Sequence, residues 1–297
     1  MSSPSDIPDI ASRARRIVET LAREHPSRSG LFPERLNAAA EFIEGEMRTL
    51  GFVVESQTYL SEGSTVRNLI AEQRGSDPTK PGIVLGAHYD TVPATPGADD
   101  NGSGVAGLLE LARLLKSSAN SRTIKFVAFT HEEPPFFYTS QMGSHQYARA
   151  LKRQKEKLLL MFSLEMIGYA GKNYPQVYPF FFLRQIMGYP RYGDFIGLVG
   201  NLRSMRLLKF VRAAMRRGCT IGIESLSAPG FLPPLFLSDH SSFWRHGYAA
   251  LMVTDTAFLR NPHYHLPSDT EATINYTFLA EVVAGVYSAV VALDNLK

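Results

Sequence analysis

"IVLGAHYDTVPATPGADDNGSG", residues 83–104, carries an apolar β-type run into a turn holding His88, Asp90, Asp99 and Asp100, and ends where a helical pattern begins at Gly104. Neighbouring carboxylates repel one another, so acid concentrated where a strand gives way to a helix calls for an offsetting cation. A metal centre supplies one. The arrangement recurs: "IKFVAF" at 124–129 runs into Thr130-His131-Glu132-Glu133, and "LLLMFSL" at 158–164 runs into Glu165. Continuous apolar strands alternating with helices imply a largely parallel sheet covered on both faces. In such sheets ligands collect beyond the carboxyl ends of the strands, which is where these acids stand.

Working outward, apolar residues at helical spacing predict helices over 8–24 and 34–50, the second closed by Gly51. Short β-type runs follow around 53–60, 66–72 and 83–87, then a helix over 104–116. Past the strand at 124–129, helices are expected over 141–155, 202–217 and 277–293, with strands at 158–164 and 249–255. No repeat, low-complexity linker or charge block divides the chain, so a single domain over residues 1–297 is expected.

Composition narrows the function classes. The chain has 297 residues, 44% of them apolar and 20% charged, as in an ordinary soluble domain. A net charge of +3 with scattered Lys and Arg lacks the dense basic stripe expected of a nucleic-acid binder. The most apolar cluster, residues 178–190, contains Arg184 and is far shorter than the roughly 20 residues of a membrane span. Neither nucleic acid nor membrane is expected as a partner. Cys219 is the one cysteine, which excludes an intrachain disulfide, and the first 26 residues lack the pattern of a secretory signal. Cytoplasmic residence is the expectation. Nothing in the sequence sets an oligomeric state.

The charged strand ends supply the chemistry. Alternation along an extended chain puts His88 and Asp90 on one side, and a metal-bound imidazole commonly donates its other N–H to a carboxylate, a part Asp90 can play. Adjacent acids at a strand end point to different sides, so one of Glu132 and Glu133 can hold a metal while the other meets substrate water. With Asp99 on the glycine-rich turn, Glu165, and His265 in "NPHYHLPSDT", these give a nitrogen-and-oxygen donor set of His88, Asp99, Glu133, Glu165 and His265. Zinc accepts such donors, and two divalent ions sharing one carboxylate account for acids sitting together. Each short match has little weight alone; their recurrence at successive strand ends is what counts. His131, His145, His246 and His263 have no comparable pattern and read as surface or packing residues.

In order and spacing, "GAHYDTVPATPGADDNGSGVAGLLELARLL", "FVAFTHEEPP", "SLEMIGY", "SDHSSFW" and "NPHYHLPSDT" resemble the co-catalytic zinc aminopeptidases and carboxypeptidases of metallopeptidase family 28. The resemblance covers roughly residues 30–295. It implies a three-layer α/β/α fold with a mixed, mostly parallel central sheet. It also implies one zinc held by His88, Asp99 and Glu165, a second held by Asp99, Glu133 and His265, and Glu132 as general base. The substrate would be a peptide or peptide-like amide. Tyr264, beside a ligand histidine, is a candidate to steady the oxyanion, and Asp239 and Asp269 are candidates for holding water, ligands or the substrate amine.

Two departures stand out. Glu165 occupies a position more often Asp in the family, and Glu133 is followed by Pro134-Pro135-Phe136-Phe137-Tyr138 instead of a glycine-containing turn. This aromatic stretch and residues 178–190 are expected to shape a substrate pocket. The competing readings are a glutaminyl cyclase-like acyltransferase with one zinc, and a catalytically silent binding module. An intact donor set with Glu132 favours the exopeptidase over both.

Overall fold

The protein is described by a computed structural model covering residues 7–178, 184–186, 188–230 and 235–296. Two helices open the chain, α1 (Ile7–Arg23) and α2 (Pro33–Thr49), followed by the hairpin β1 (Val54–Ser61) and β2 (Ser64–Gln73). Then come β3 (Gly82–His88), α3 (Gly104–Lys116), β4 (Ile124–Phe129), α4 (Gly143–Arg153) and β5 (Leu158–Glu165). A small ribbon, β6 (Gly171–Pro175) with β7 (Tyr192–Gly193), precedes β8 (Phe195–Asn201), α5 (Met205–Met215) and β9 (Gly222–Ala228). The described chain closes with α6 (His240–Arg245), β10 (Ala250–Thr254) and α7 (Tyr276–Asp294).

Eight strands form one mixed sheet in the order β1-β2-β4-β3-β5-β10-β8-β9. Its centre is parallel from β4 through β10, in line with the family-derived expectation. Helices cover both faces. Apolar periodicity explains the larger layer: α1 turns Ile10, Ala14, Ile17, Val18 and Leu21 inward, and α3 and α7 are buried along most of their length. The sequence of α7 is long and apolar enough to cross a membrane, yet two-thirds of it is buried within the protein, against α1, α3 and α5. On the other face Tyr147, Ala148 and Leu151 of α4 and Phe243 of α6 pack over Val84, Val127, Phe129 and Met161.

Register places the chemistry. His88 pairs with Phe129, and Glu165 with Thr254, so β4, β3, β5 and β10 end at one edge of the sheet. Two strands of this sheet, β8 and β9, are absent from the sequence reading, as is the β6–β7 ribbon. "FIGLVGN" is broken by Gly197 and Gly200, and "GIESLSA" alternates with polar residues because it is the half-exposed edge strand. They extend the sheet beyond β10, and β8 begins where β10 ends, since Gly197 pairs with Thr254.

Candidate metal centre

Four acids and two histidines meet beyond this edge. The Nε2 of His88, at the end of β3, lies 3.5 Å from Asp100 Oδ1 and 3.4 Å from Glu165 Oε2. The Nε2 of His265 lies 3.2 Å from Asp100 Oδ2 and 3.2 Å from Glu133 Oε2. The two oxygens of Asp100 therefore face two separate groups, His88 with Glu165 and Glu133 with His265. Tetrahedral zinc with bonds of about 2.0–2.1 Å separates its ligands by roughly 3.3 Å, which is the spacing seen here. Both Nε2 atoms are buried and lack a hydrogen-bond partner among the described residues. A buried imidazole nitrogen aimed at carboxylates, with no hydrogen-bond partner of its own, fits the part of a metal ligand.

Asp100, and not Asp99 as expected, stands between the two histidines. The Asp99 carboxylate is taken up elsewhere, by the Gly168 N–H (2.9 Å) and the Asn261 side-chain amide (2.8 Å). Burial, then the neighbouring Asp255, pushes its pKa well above the usual carboxylate range. Among the described residues the Asp100 carboxylate meets no such amide donor and faces His88 and His265 instead. Adjacent residues in one irregular turn face opposite ways, and composition alone does not say which faces the metal. Asp269 fixes the choice: its two oxygens accept the backbone N–H groups of Asp99 (2.9 Å) and Asp100 (3.1 Å). Gly104 completes the arrangement, because a Cβ there would stand 2.2 Å from Asn101 Oδ1 and 2.6 Å from the Leu164 carbonyl.

Asp90 departs in part from its expected role. The His88 Nδ1 lies 3.1 Å from the Asp90 backbone carbonyl, whereas the nearer Asp90 carboxylate oxygen is 3.6 Å away. That carboxylate instead accepts the N–H groups of Glu132 (3.1 Å) and Glu133 (3.0 Å), pinning the acidic pair. Glu165 is steadied by Ser238 Oγ at 2.7 Å, itself bonded to Ser163. The longer side chain of Glu165 thus reaches His88 with its geometry fixed by the "SDHSSFW" segment. Glu132 stands 3.8 Å from His88 and belongs to neither donor group.

The electrostatics are those of a crowded acidic pocket. Burial, followed by the field of Asp100, pushes Glu133 up to about 8, and burial also raises Glu132 well above its ordinary value. Burial alone would lower the His265 ring, but its contacts with Asp100 and Glu133 outweigh this and bring it up to about 10. The same two histidines outweigh burial at Asp100 and hold it below the usual carboxylate range. Tyr264 stacks on His265 with ring centroids 3.8 Å apart, and burial keeps its phenol protonated far above neutral pH. Asp239 is fully buried with neither oxygen hydrogen-bonded among the described residues, and burial raises it to about 7.

A cavity of about 150 Å³ shares Glu165 and Tyr264 with the cluster and is walled by apolar side chains, among them Phe195, Leu198, Leu237 and Met252. Tyr178 and Tyr189, stacked 5.5 Å apart, close one side; residues 179–183 and 187 of the 178–190 segment lie outside the described residues. Residues 134–138 do not line this cavity. Phe136 instead stacks 3.8 Å from His131, and Tyr138 rests on Phe236 beneath Arg245. His131 packs as expected, and His145 lies against His246.

Comparison with known proteins places this arrangement. The model of peptidase family M28 matches residues 68–290. The chain is 42% identical over 275 residues to YfbL of Escherichia coli, covering 88% of this chain and 81% of that one. It is 37% identical over 115 residues to aminopeptidase YwaD of Bacillus subtilis, covering 38% and 24%. In fold it resembles the Legionella pneumophila LapA aminopeptidase, with a TM-score of 0.76, 19% identity, and coverage of 99% and 75%. It also resembles a Bacteroides thetaiotaomicron glutaminyl cyclase, with a TM-score of 0.69, 20% identity, and coverage of 97% and 98%. A match reaching from the strand before His88 to the closing helix, over a sheet edge that gathers these acids and histidines, makes the chain a member of peptidase family M28.

Proposed function

We propose that the protein is a zinc-dependent aminopeptidase that uses two divalent ions, one held by His88, Asp100 and Glu165 and the other by Asp100, Glu133 and His265. The observation that carries this reading is the two-sided Asp100 carboxylate, with an orphaned imidazole nitrogen facing each oxygen. Bound there, the ions would supply Lewis acidity toward a scissile carbonyl and toward water. Glu132 is the base: it is buried 3.8 Å from His88 yet belongs to neither donor group, which leaves its carboxylate to take and return a proton. It removes the proton of the attacking water and delivers it to the departing amine nitrogen. The protonated Tyr264 phenol donates to the developing oxyanion.

The apolar cavity beside Glu165 and Tyr264 takes the side chain of the cleaved residue. A space of this size lined by apolar groups suits a benzene-sized guest, so leucine, methionine or phenylalanine fits. Glu224, the other acid in its wall, is paired with Arg212 at 2.9 Å, which leaves no lone charge among the described lining residues to select a basic side chain. The test is a panel of aminoacyl amides and their N-acetylated counterparts offered to zinc-loaded protein. Cleavage of leucyl and phenylalanyl substrates with a free α-amine, and little of glycyl, aspartyl or acetylated ones, supports the reading. Equal cleavage of acetylated substrates, or cyclisation of amino-terminal glutamine without hydrolysis, contradicts it.

A further inference from the structure

Arg28 has no acidic partner within ion-pair distance among the described residues, yet it is fully buried. Its guanidinium instead spans three segments of backbone. Nε donates to the Tyr89 carbonyl at 2.6 Å, Nη1 to Pro96 at 2.7 Å and Leu21 at 3.4 Å, and Nη2 to Gly97 at 2.7 Å. Tyr89 directly follows His88, and Gly97 opens the turn that carries Asp100. The Gly97 carbonyl also accepts the Gly102 N–H at 3.1 Å, so the charged fork and the turn share one acceptor. Gly97 itself has φ of 61° and leaves no room for a Cβ, which would meet Arg28 Nη2 at 3.0 Å and Thr91 Cγ2 at 2.3 Å.

The neighbouring residue extends the clasp. The Ser27 N–H donates to Thr95 at 2.9 Å, its hydroxyl accepts from Ala94 at 2.9 Å, and the Arg28 carbonyl accepts from Thr91 at 3.3 Å. The segment between two donors to one ion is thereby held along its length by two residues from the chain's amino-terminal part. A buried cation is costly unless its donors are satisfied and its charge is offset. Here carbonyls satisfy the donors; burial lowers the guanidinium to about 10, and the carboxylates of Asp269, Asp100, Asp90 and Glu133 oppose that lowering. The fork geometry matters: lysine carries the charge on one flexible point and cannot reach carbonyls on separate segments together.

Resting on the dinuclear reading above, we propose that Arg28 is a positioning residue that sets His88 and Asp100 at metal-binding distance before any metal arrives. It touches no reacting atom and acts through the backbone of residues 89–97. Outer groups that orient ligands typically change metal affinity by about 10–100-fold when replaced.

The experiment is a zinc titration of the metal-stripped full chain against a competing chromophoric chelator, comparing wild type, Arg28→Lys, Ser27→Ala and Val211→Ala. Val211 is a buried core residue of α5, far in sequence from the loop, and its truncation lowers stability without touching the clasp. Expected are zinc affinity reduced about 10–100-fold in Arg28→Lys, a smaller loss in Ser27→Ala, and wild-type affinity in Val211→Ala despite a lower melting temperature. Arg28→Lys that folds and binds zinc as wild type does, or loses no more than Val211→Ala, overturns the proposal. Should Arg28→Lys fail to fold, Ser27→Ala decides, and unchanged affinity there is the overturning result. Wild type that takes up no zinc refutes the dinuclear reading itself, and the role of Arg28 with it.

Discussion

Asp99 and Asp100 are neighbours with opposite duties, and the difference between them is where their hydrogen-bond donors come from. Asp99 accepts from Gly168 and Asn261, which are distant in sequence, while Asp100 meets His88 and His265. The contrast predicts that Asp100→Asn loses tight zinc binding at both sites. Asp99→Asn, which keeps an oxygen for the Gly168 N–H, retains metal with an affinity loss within about 100-fold. Metal analysis after dialysis against a weak chelator checks both. Glu132→Gln is expected to keep its metal content and lose about 10²–10⁴ in kcat; a metal-loaded variant with wild-type turnover would remove the base. His88, Glu133, Glu165 and His265 were legible in the sequence because each follows an apolar strand or sits in a distinctive segment. Asp100 was not, because adjacency in "ADDNGSG" leaves the facing direction to long-range donors. Arg28 was invisible for the same reason: its partners are backbone carbonyls, which have no sequence signature.

Among the elements, α3 and the strand ends form the unit that presents the metal loop. Gly104 starts α3 against the end of β5, with the Leu164 carbonyl where a side chain would go. Gly104→Ala is expected to destabilise the protein by about 1–3 kcal/mol, because backbone cannot move aside as a flexible side chain can. Thermal or urea unfolding measures this, and wild-type stability would show that the contact is relieved cheaply. The central strands and the longer flanking helices were readable from apolar runs and helical periodicity, whereas the short α6 was not. The strands β8 and β9 were not, since glycines and half-exposed alternation mask them, and with them went the far wall of the cavity. Residues 134–138 carry their rings away from the cavity beside Glu165: Phe136 stacks on His131 and Tyr138 on Phe236.

For the molecule as a whole, acid gathered at one sheet edge makes stability depend on pH and on metal. Burial raises Asp239 and Asp269 in the folded protein to about 7, above the ordinary aspartate value of about 4. For an acid with a raised folded pKa, the stabilising protonated form is complete below its unfolded value and is lost as pH rises through the folded one. The metal-free protein should therefore lose stability between about pH 4 and about pH 7, with a smaller loss in Asp239→Asn; melting curves across that window decide. Ligands that bind the folded state alone raise its melting temperature, so zinc should reverse the loss near neutral pH. The most direct test of the account is anomalous diffraction at the zinc edge from crystals of the zinc-loaded protein. It should show two peaks, one bonded to His88 and Glu165 and the other to Glu133 and His265, with Asp100 touching both. A single peak, or a pair bridged by any other side chain, would contradict it.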